Sequence, residues 1–295
     1  MSLVSRILPS PLRARRSATV AAALGLAAVA VLGLTAGFVP SSSAGYIAKI
    51  TNSTDTAATA PYFTCATAAT ADKSTAFFQY ALNDSTASTS AVDASGNART
   101  GTYTGTRATS TTTPQSCSRD TGPAAVFNGS TNQVTTPTQL STAPATFTLE
   151  VWFKTTVAGG KLIGYGNSQS GSSGQYDRHL YISTTGALIF GVYNGGVNTI
   201  TSPLAYNDGL WHDAIVTFSA STGSLMYVDG KLVASNTSYT AGEAHAGYWR
   251  IGYDNLSGWP NAAANYWFTG SMRFAAVYTS VFTPAQVSAH YAAGA

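Results

Sequence analysis

Charge is scarce in this sequence. Only 9% of its 295 residues are Asp, Glu, Lys or Arg, and only Glu150 and Glu243 are glutamate. The formal net charge is +3, but Arg6, Arg13, Arg15 and Arg16 all fall in the first sixteen residues. Past Ala44 the balance is 11 basic against 12 acidic residues, about −1 overall. Such a chain has no electrostatic footprint for nucleic acid or for an anionic membrane surface. Cysteine is just as rare. Cys65 and Cys117 have no histidine beside them, which excludes a zinc site of cysteine–histidine spacing. Long apolar runs are missing too, with one exception at the start.

That exception is Thr19–Val39, 21 residues without a charge. It follows the arginines and precedes Ser42-Ser43-Ala44, so residues 1–44 read as a basic n-region, an apolar h-region and a cleavage signal. At about 1.5 Å per residue the apolar segment reaches roughly 31 Å, enough to cross a bilayer as a helix. Two outcomes stay open: cleavage near Ala44, or retention as an anchor with the C-terminus outside. Either way the chain is expected to be secreted or at the cell surface, touching membrane only through this segment. In that compartment an even cysteine count predicts a Cys65–Cys117 disulfide.

What remains is rich in Thr, Ser, Ala, Gly and Tyr, a β-prone composition, and its 251 residues suffice for one sandwich with a full core. Residues 45–71 read as an N-terminal arm, a surface segment or first strand, and 72–295 as the domain. Strand alternation is clearest in Trp211–Phe218, where His212, Ala214, Val216 and Phe218 share one face. A polar turn, the apolar run Leu225–Val228 and the hairpin dipeptide Asp229-Gly230 follow, and Lys231–Ala234 returns. Phe147–Thr155 alternates in the same way and puts Glu150 and Trp152 together on the outer face. Further strands are expected at Phe77–Leu82, Lys161–Gly166, His179–Tyr193, Trp249–Gly252 and Trp267–Tyr278. Thr106–Pro114 is expected to be a loop and Asn128-Gly129 a hairpin turn. Thr283-Pro284-Ala285-Gln286 is a capping box with proline at the first helical position, so one short helix should run over Pro284–Ala292.

Trp211-His212 at a strand start and Tyr227-Val228-Asp229-Gly230-Lys231 after a short turn resemble the laminin-G-like (LamG) branch of the concanavalin A-like lectin/glucanase superfamily. So do the Asp93–Asn97 loop before Gly101-Thr102-Tyr103, the Phe127–Ser130 turn and the closing Gly270-Ser271 strand with its Thr283–Val287 helix. The likeness spans roughly Ala76–Gly294. It implies an all-β, two-sheet antiparallel jelly-roll sandwich with one short C-terminal helix, preceded here by the signal or anchor helix. One departure stands out. Where the family's closing strand carries Ile-Asp-Glu-Val after Gly-Ser, this chain has Met272, Arg273, Phe274 and Ala275. The leader with its Ile-Thr-Asn-Ser-Thr tract also resembles exported bacterial surface proteins, some of which form matrix fibres.

Enzymatic chemistry finds no support. Retaining glucanases of this superfamily set two carboxylates about 5 Å apart on one strand, and Glu150 is followed on its face by Trp152 and Lys154. His179, His212, His245 and His290 are scattered, with none in a metal spacing, and His212 reads as a hydrogen-bonded structural residue. No cofactor is required. The resemblance does imply a structural calcium on the matching loops, at Asp93, Asn97 and Asn128; turn capping is the plainer reading of those residues.

Glycan binding needs aromatic faces beside amide and carboxylate groups on one rim. The best candidates are Tyr253, Asp254, Asn255, Trp259 and Asn261, followed by Tyr176, Arg178, Tyr193 and Asn194 with Asp177. For Trp259 the competing expectation is that it folds back to plug the sandwich. The sequence thus predicts an exported, non-catalytic, lectin-like module that binds a glycan or surface glycoconjugate. The alternative is a structural or assembly component of a surface or matrix layer that contacts other surface proteins.

Overall fold

The computed structural model describes residues 62–295; the expected leader and the arm up to residue 61 lie outside the described residues. Two antiparallel sheets pack face to face. In chain order the strands are β1 (Ala76–Tyr80), β2 (Ser90–Ala91), β3 (Gly101–Thr104), β4 (Ala108–Ser110), β5 (Ala124–Asn128), β6 (Gln133–Thr135), β7 (Phe147–Lys154) and β8 (Lys161–Gly166). Then come β9 (Tyr176–Ile182), β10 (Ala187–Tyr193), β11 (Val197–Ala205), β12 (Trp211–Ser219), β13 (Gly223–Val228), β14 (Lys231–Asn236), β15 (Tyr248–Ile251) and β16 (Thr269–Tyr278). Helix α1 is Cys65–Ala71 and α2 is Pro284–Gly294. Sheet I runs β14-β13-β12-β7-β16-β5-β4, with β1 on the other half of β16. Sheet II runs β11-β10-β9-β8-β15-β6-β3-β2.

The alternation read from the sequence decides which side chains meet between the sheets. On β7, Phe147, Leu149, Val151 and Phe153 enter the core and lose all contact with solvent. Each such burial contributes about 1.5–3 kcal/mol. Ala214, Val216 and Phe218 lie beside them on the neighbouring strand β12, and Leu180, Ile182, Leu188 and Phe190 face them from sheet II. The β13–β14 turn forms at Asp229 (φ 52°) and Gly230 (φ 74°), the two positive φ values of a tight two-residue hairpin. Its carboxylate holds His212: Nδ1 lies 2.8 Å from Asp229 and Nε2 3.1 Å from Asp208. His212 is therefore a structural clasp, as expected.

Several expectations need correcting. Asn128-Gly129 does not close a hairpin, because β5 belongs to sheet I and β6 to sheet II; the turn carries the chain across the sandwich. Residues 65–71 are neither arm nor strand but a helix, started by a capping box at Thr64 and Thr67. A short strand, β4, interrupts the expected 106–114 loop, and the edge strand β11 was not anticipated at all. The closing strand begins at Thr269 rather than Trp267, so Trp267 ends the preceding loop. Helix α2 starts on the capping box of Thr283 and Gln286 as expected, and continues to Gly294.

The two outer faces are covered differently. Over sheet I lie α1 and α2. Phe282 and Val287 pack on Ile215, Tyr227 and Tyr278, and Trp152 stacks on Tyr291 at 5.9 Å beside the Cys65–Cys117 disulfide. Over sheet II lies a loop, residues 252–268.

Candidate functional site

This loop is organised from beneath by buried charge. Asp254 carries no solvent exposure, and its Oδ1 accepts from the Ser173 amide at 2.9 Å and from Arg250 at 3.0 Å. Its Oδ2 accepts from the Ser173 hydroxyl at 2.9 Å and lies 3.5 Å from Lys161 Nζ. One carboxylate thus pins both the 168–174 and the 253–257 loops to β8 and β15. Burial drives the Lys161 ammonium down to about 8, against the opposing pull of Asp254. His179 beside it is fully buried, with neither ring nitrogen partnered among the described residues. Burial, reinforced by the Lys161 charge, depresses it and keeps it neutral.

Trp259 anchors the middle of the loop. Its indole packs edge-on to His179 at 4.5 Å, in a cluster with Tyr181, Ile189 and Leu256. Gly191 makes room for it: a Cβ there would lie 2.6 Å from Cζ3 of the indole. The Tyr181 hydroxyl donates to the Pro260 carbonyl at 2.6 Å, and the Thr184 amide donates to Asn261 O at 2.9 Å. Trp259 is left 6% exposed. It therefore plugs the sheet face, and the role of ligand platform expected for it does not fit this placement.

Asp254 and Arg178 are likewise structural here. Arg178 is buried against Asp177 and donates to the carbonyls of Pro144 and Glu243 at 2.8 and 2.9 Å. It closes the 143–144 and 242–243 segments over β9. Asn255 has both amide atoms engaged, with Ser173 O and the Ser257 amide. Asn261 is exposed, at a positive φ of 53°, and Asn194 is exposed on the β10–β11 turn beside Tyr193, which is 38% exposed.

Two of the expected aromatics, Tyr253 and Tyr176, stay partly exposed, and Tyr266 and Trp267 join them. Tyr253 and Trp267 stack in parallel, 3.6 Å between centroids and 9° between planes, and both are half-buried. The Tyr253 hydroxyl lies 2.8 Å from Ser172 Oγ. Half-buried Tyr176 donates to Ser257 O at 2.9 Å, and half-buried Tyr266 lies in the same loop. This rim brings partly exposed aromatic rings beside hydroxyls, the kind of pairing that can pack on an apolar face and bond at its edge. Trp267 is absent from the expected candidates because the sequence reads it as the start of the closing strand; Tyr266 closes the expected loop.

The expected calcium residues form no ligand set. Asp93 accepts from the amides of Gln79, Ser95 and Arg99 and from the Ser95 hydroxyl, all at 2.8–3.0 Å. Asn128 Oδ1 accepts from the amides of Ser130 and Thr131, and Asn97 donates to Ala76 O. All three hold turns, the plainer reading of those residues. Arg273, which stands where the family's closing strand is acidic, is fully buried. It donates to the carbonyls of Ser116, Cys117, Thr121 and Gly122 at 2.9–3.2 Å, gathering the loop that bears Cys117.

The fold is similar to the binding domain of Paraclostridial Mosquitocidal Protein 1, at 12% identity and TM-score 0.55, over 74% of this chain and 52% of that one. It is also similar to the binding domain of botulinum neurotoxin DC in complex with rat synaptotagmin II, at 11% identity and TM-score 0.52, again over 74% and 52%. A third likeness is the botulinum neurotoxin serotype D binding domain, at 12% identity and TM-score 0.51, over 75% and 52%. The chain thus spans about half the length of these structures, all of them binding domains. Comparison with curated protein sequences finds no match. Residues 127–288 match the family Laminin_G_3, described as concanavalin A-like lectin/glucanases superfamily. That match takes in more than half of the sequence and most of both sheets, and by it the chain belongs to this family.

Proposed function

We propose that this chain is an exported, non-catalytic module that binds a glycan or a glycosylated surface through the Tyr253–Trp267 rim. The observation that carries this reading is the stacked pair itself. Two aromatic rings are held half-exposed by a loop whose underside is fixed by Asp254 and Trp259, so a platform is ready without ordering cost. Hydroxyls of Ser172 and Tyr176 border it, and the binding domains of similar fold lend the reading a general precedent. Catalysis by paired carboxylates has little to work with. Glu150 is buried beneath α2, bonded to His290 and Tyr278, and Glu243 lies over the Arg178 clamp.

A glycan array probed with the full chain and with Trp267→Ala tests this. Retention on one glycan class, lost by at least ten-fold in the variant at unchanged melting temperature, is the expected result. Retention should survive a calcium chelator, since Asp93 and Asn128 are occupied by backbone amides. Equal retention by both proteins would place binding elsewhere. No retention at all, together with loss of assembly when residues 45–60 are deleted, would favour the matrix-component reading.

A further inference from the structure

A separate cavity of about 190 Å³ opens on the outer face of sheet I. Helix α1, the β1–β2 connection and the Asp120–Thr121 turn surround it, and β16 and β7 contribute its lining from the sheet. An apolar cavity of about 150 Å³ takes benzene, so this one holds a ring or a short chain. Ala69, Ala81, Ala94, Ala275 and Phe274 give it apolar walls.

Its polar lining is weighted toward acceptors. His290 directs both ring nitrogens at carboxylates, Nδ1 to Glu150 at 3.0 Å and Nε2 to Asp72 at 2.9 Å. Tyr278 donates its hydroxyl to Glu150 at 3.1 Å. Gln79 donates Nε2 to Ala69 O at 2.6 Å, which fixes which way its amide points. Its Oε1 then has no donor among the described residues, although the side chain is only 4% exposed. That oxygen is not sealed off, so it opens on the cavity and is free to accept from a ligand. Asp120 adds a carboxylate to the lining, anchored by the amides of Cys65 and Ala66. The lining itself thus holds two carboxylates, Glu150 and Asp120, and one imidazole, His290, with Asp72 and Arg273 just behind it.

We propose that this cavity binds a small organic cation: a primary ammonium on a compact apolar body. The ammonium bonds Gln79 Oε1 and the Glu150 carboxylate, and the body packs on the alanines and Phe274. The site is independent of the aromatic rim.

Titration of the full chain with benzylamine, benzyl alcohol and benzoate, followed by amide NMR shifts, tests the proposal. Benzylamine should shift the amides of Ala66–Thr70, Ala81, Asn83, Ala94 and Thr121. It should bind at least ten-fold tighter than the alcohol, and benzoate should not bind. Ala69→Leu, which fills the cavity, should abolish these shifts, while Trp267→Ala should leave them intact. Equal binding of alcohol and amine, shifts confined to other residues, or no shift at all would overturn it. If Ala69→Leu fails to fold, the preference for amine over alcohol in the unaltered chain still decides.

Discussion

The two outer faces of this sandwich each bury a cation, and they treat it in opposite ways. Beneath α2, burial pulls the His290 imidazolium down, but the charge of Glu150 and the hydrogen bonds of Asp72 and Glu150 outweigh it, and the group is raised to about 10. Beneath the 252–268 loop, Lys161 has one carboxylate at 3.5 Å and Arg250 close by, so burial prevails and it falls to about 8. The helix-covered face gains from its cation, whereas the loop-covered face carries its own at a cost. Number and contact distance of the partners decide the sign, since burial acts on both in the same direction.

Breaking each cover tests the contrast, and the largest effect is expected on the helix side. Replacing Cys65 and Cys117 together by serine frees a 52-residue separation, which by chain entropy costs about 4 kcal/mol. Urea denaturation should show it. On the loop side Asp254→Ala should cost about 3 kcal/mol, the low end for a broken buried pair, because Lys161 can shed its proton and Arg250 keeps Gln133 Oε1 and Ser168 O as acceptors. Within that loop the two tryptophans should separate cleanly. Trp259→Ala should cost about 3 kcal/mol for a large buried ring, and Trp267→Ala less than about 1 kcal/mol.

The same contrast can be read from pH. The folded value of His290 is raised, so its contribution is complete below pH 6.5 and is lost as pH rises through about 10. Lys161 is depressed, so its contribution is present above pH 10.5 and lost as pH falls through about 8. Relative to the unaltered chain, His290→Gln should remove a fall in stability that begins near pH 6.5. Lys161→Met should remove a rise between pH 8 and 10.5. Denaturation midpoints against pH, compared pairwise, read both.

Local features of the sequence were legible and long-range ones were not. The alternation of β7 and β12, the Asp229-Gly230 turn and the Thr283 capping box each depend on neighbours in the chain. His290, Glu150 and Asp72 meet across separations of 140 and 218 residues, and nothing near any of them announces it. Trp259 and Trp267 occupy similar stretches of sequence. Which of them is covered is decided by Gly191 on a distant strand. Asp93 and Asn128 are residue types a cation would also use, and the backbone amides that bond them make the turns the plainer reading predicts. Arg273 shows the converse, since a residue that breaks the family pattern becomes the clamp on the cysteine loop.

That clamp also brings the two ends of the described chain together. The Cys117 amide donates to Gly294 O at 2.8 Å, Cys65 is bonded to Cys117, and Arg273 ties the same loop to the middle of sheet I. The two ends of the described chain therefore meet on one loop, Cys65 through a covalent bond and Gly294 through a single hydrogen bond.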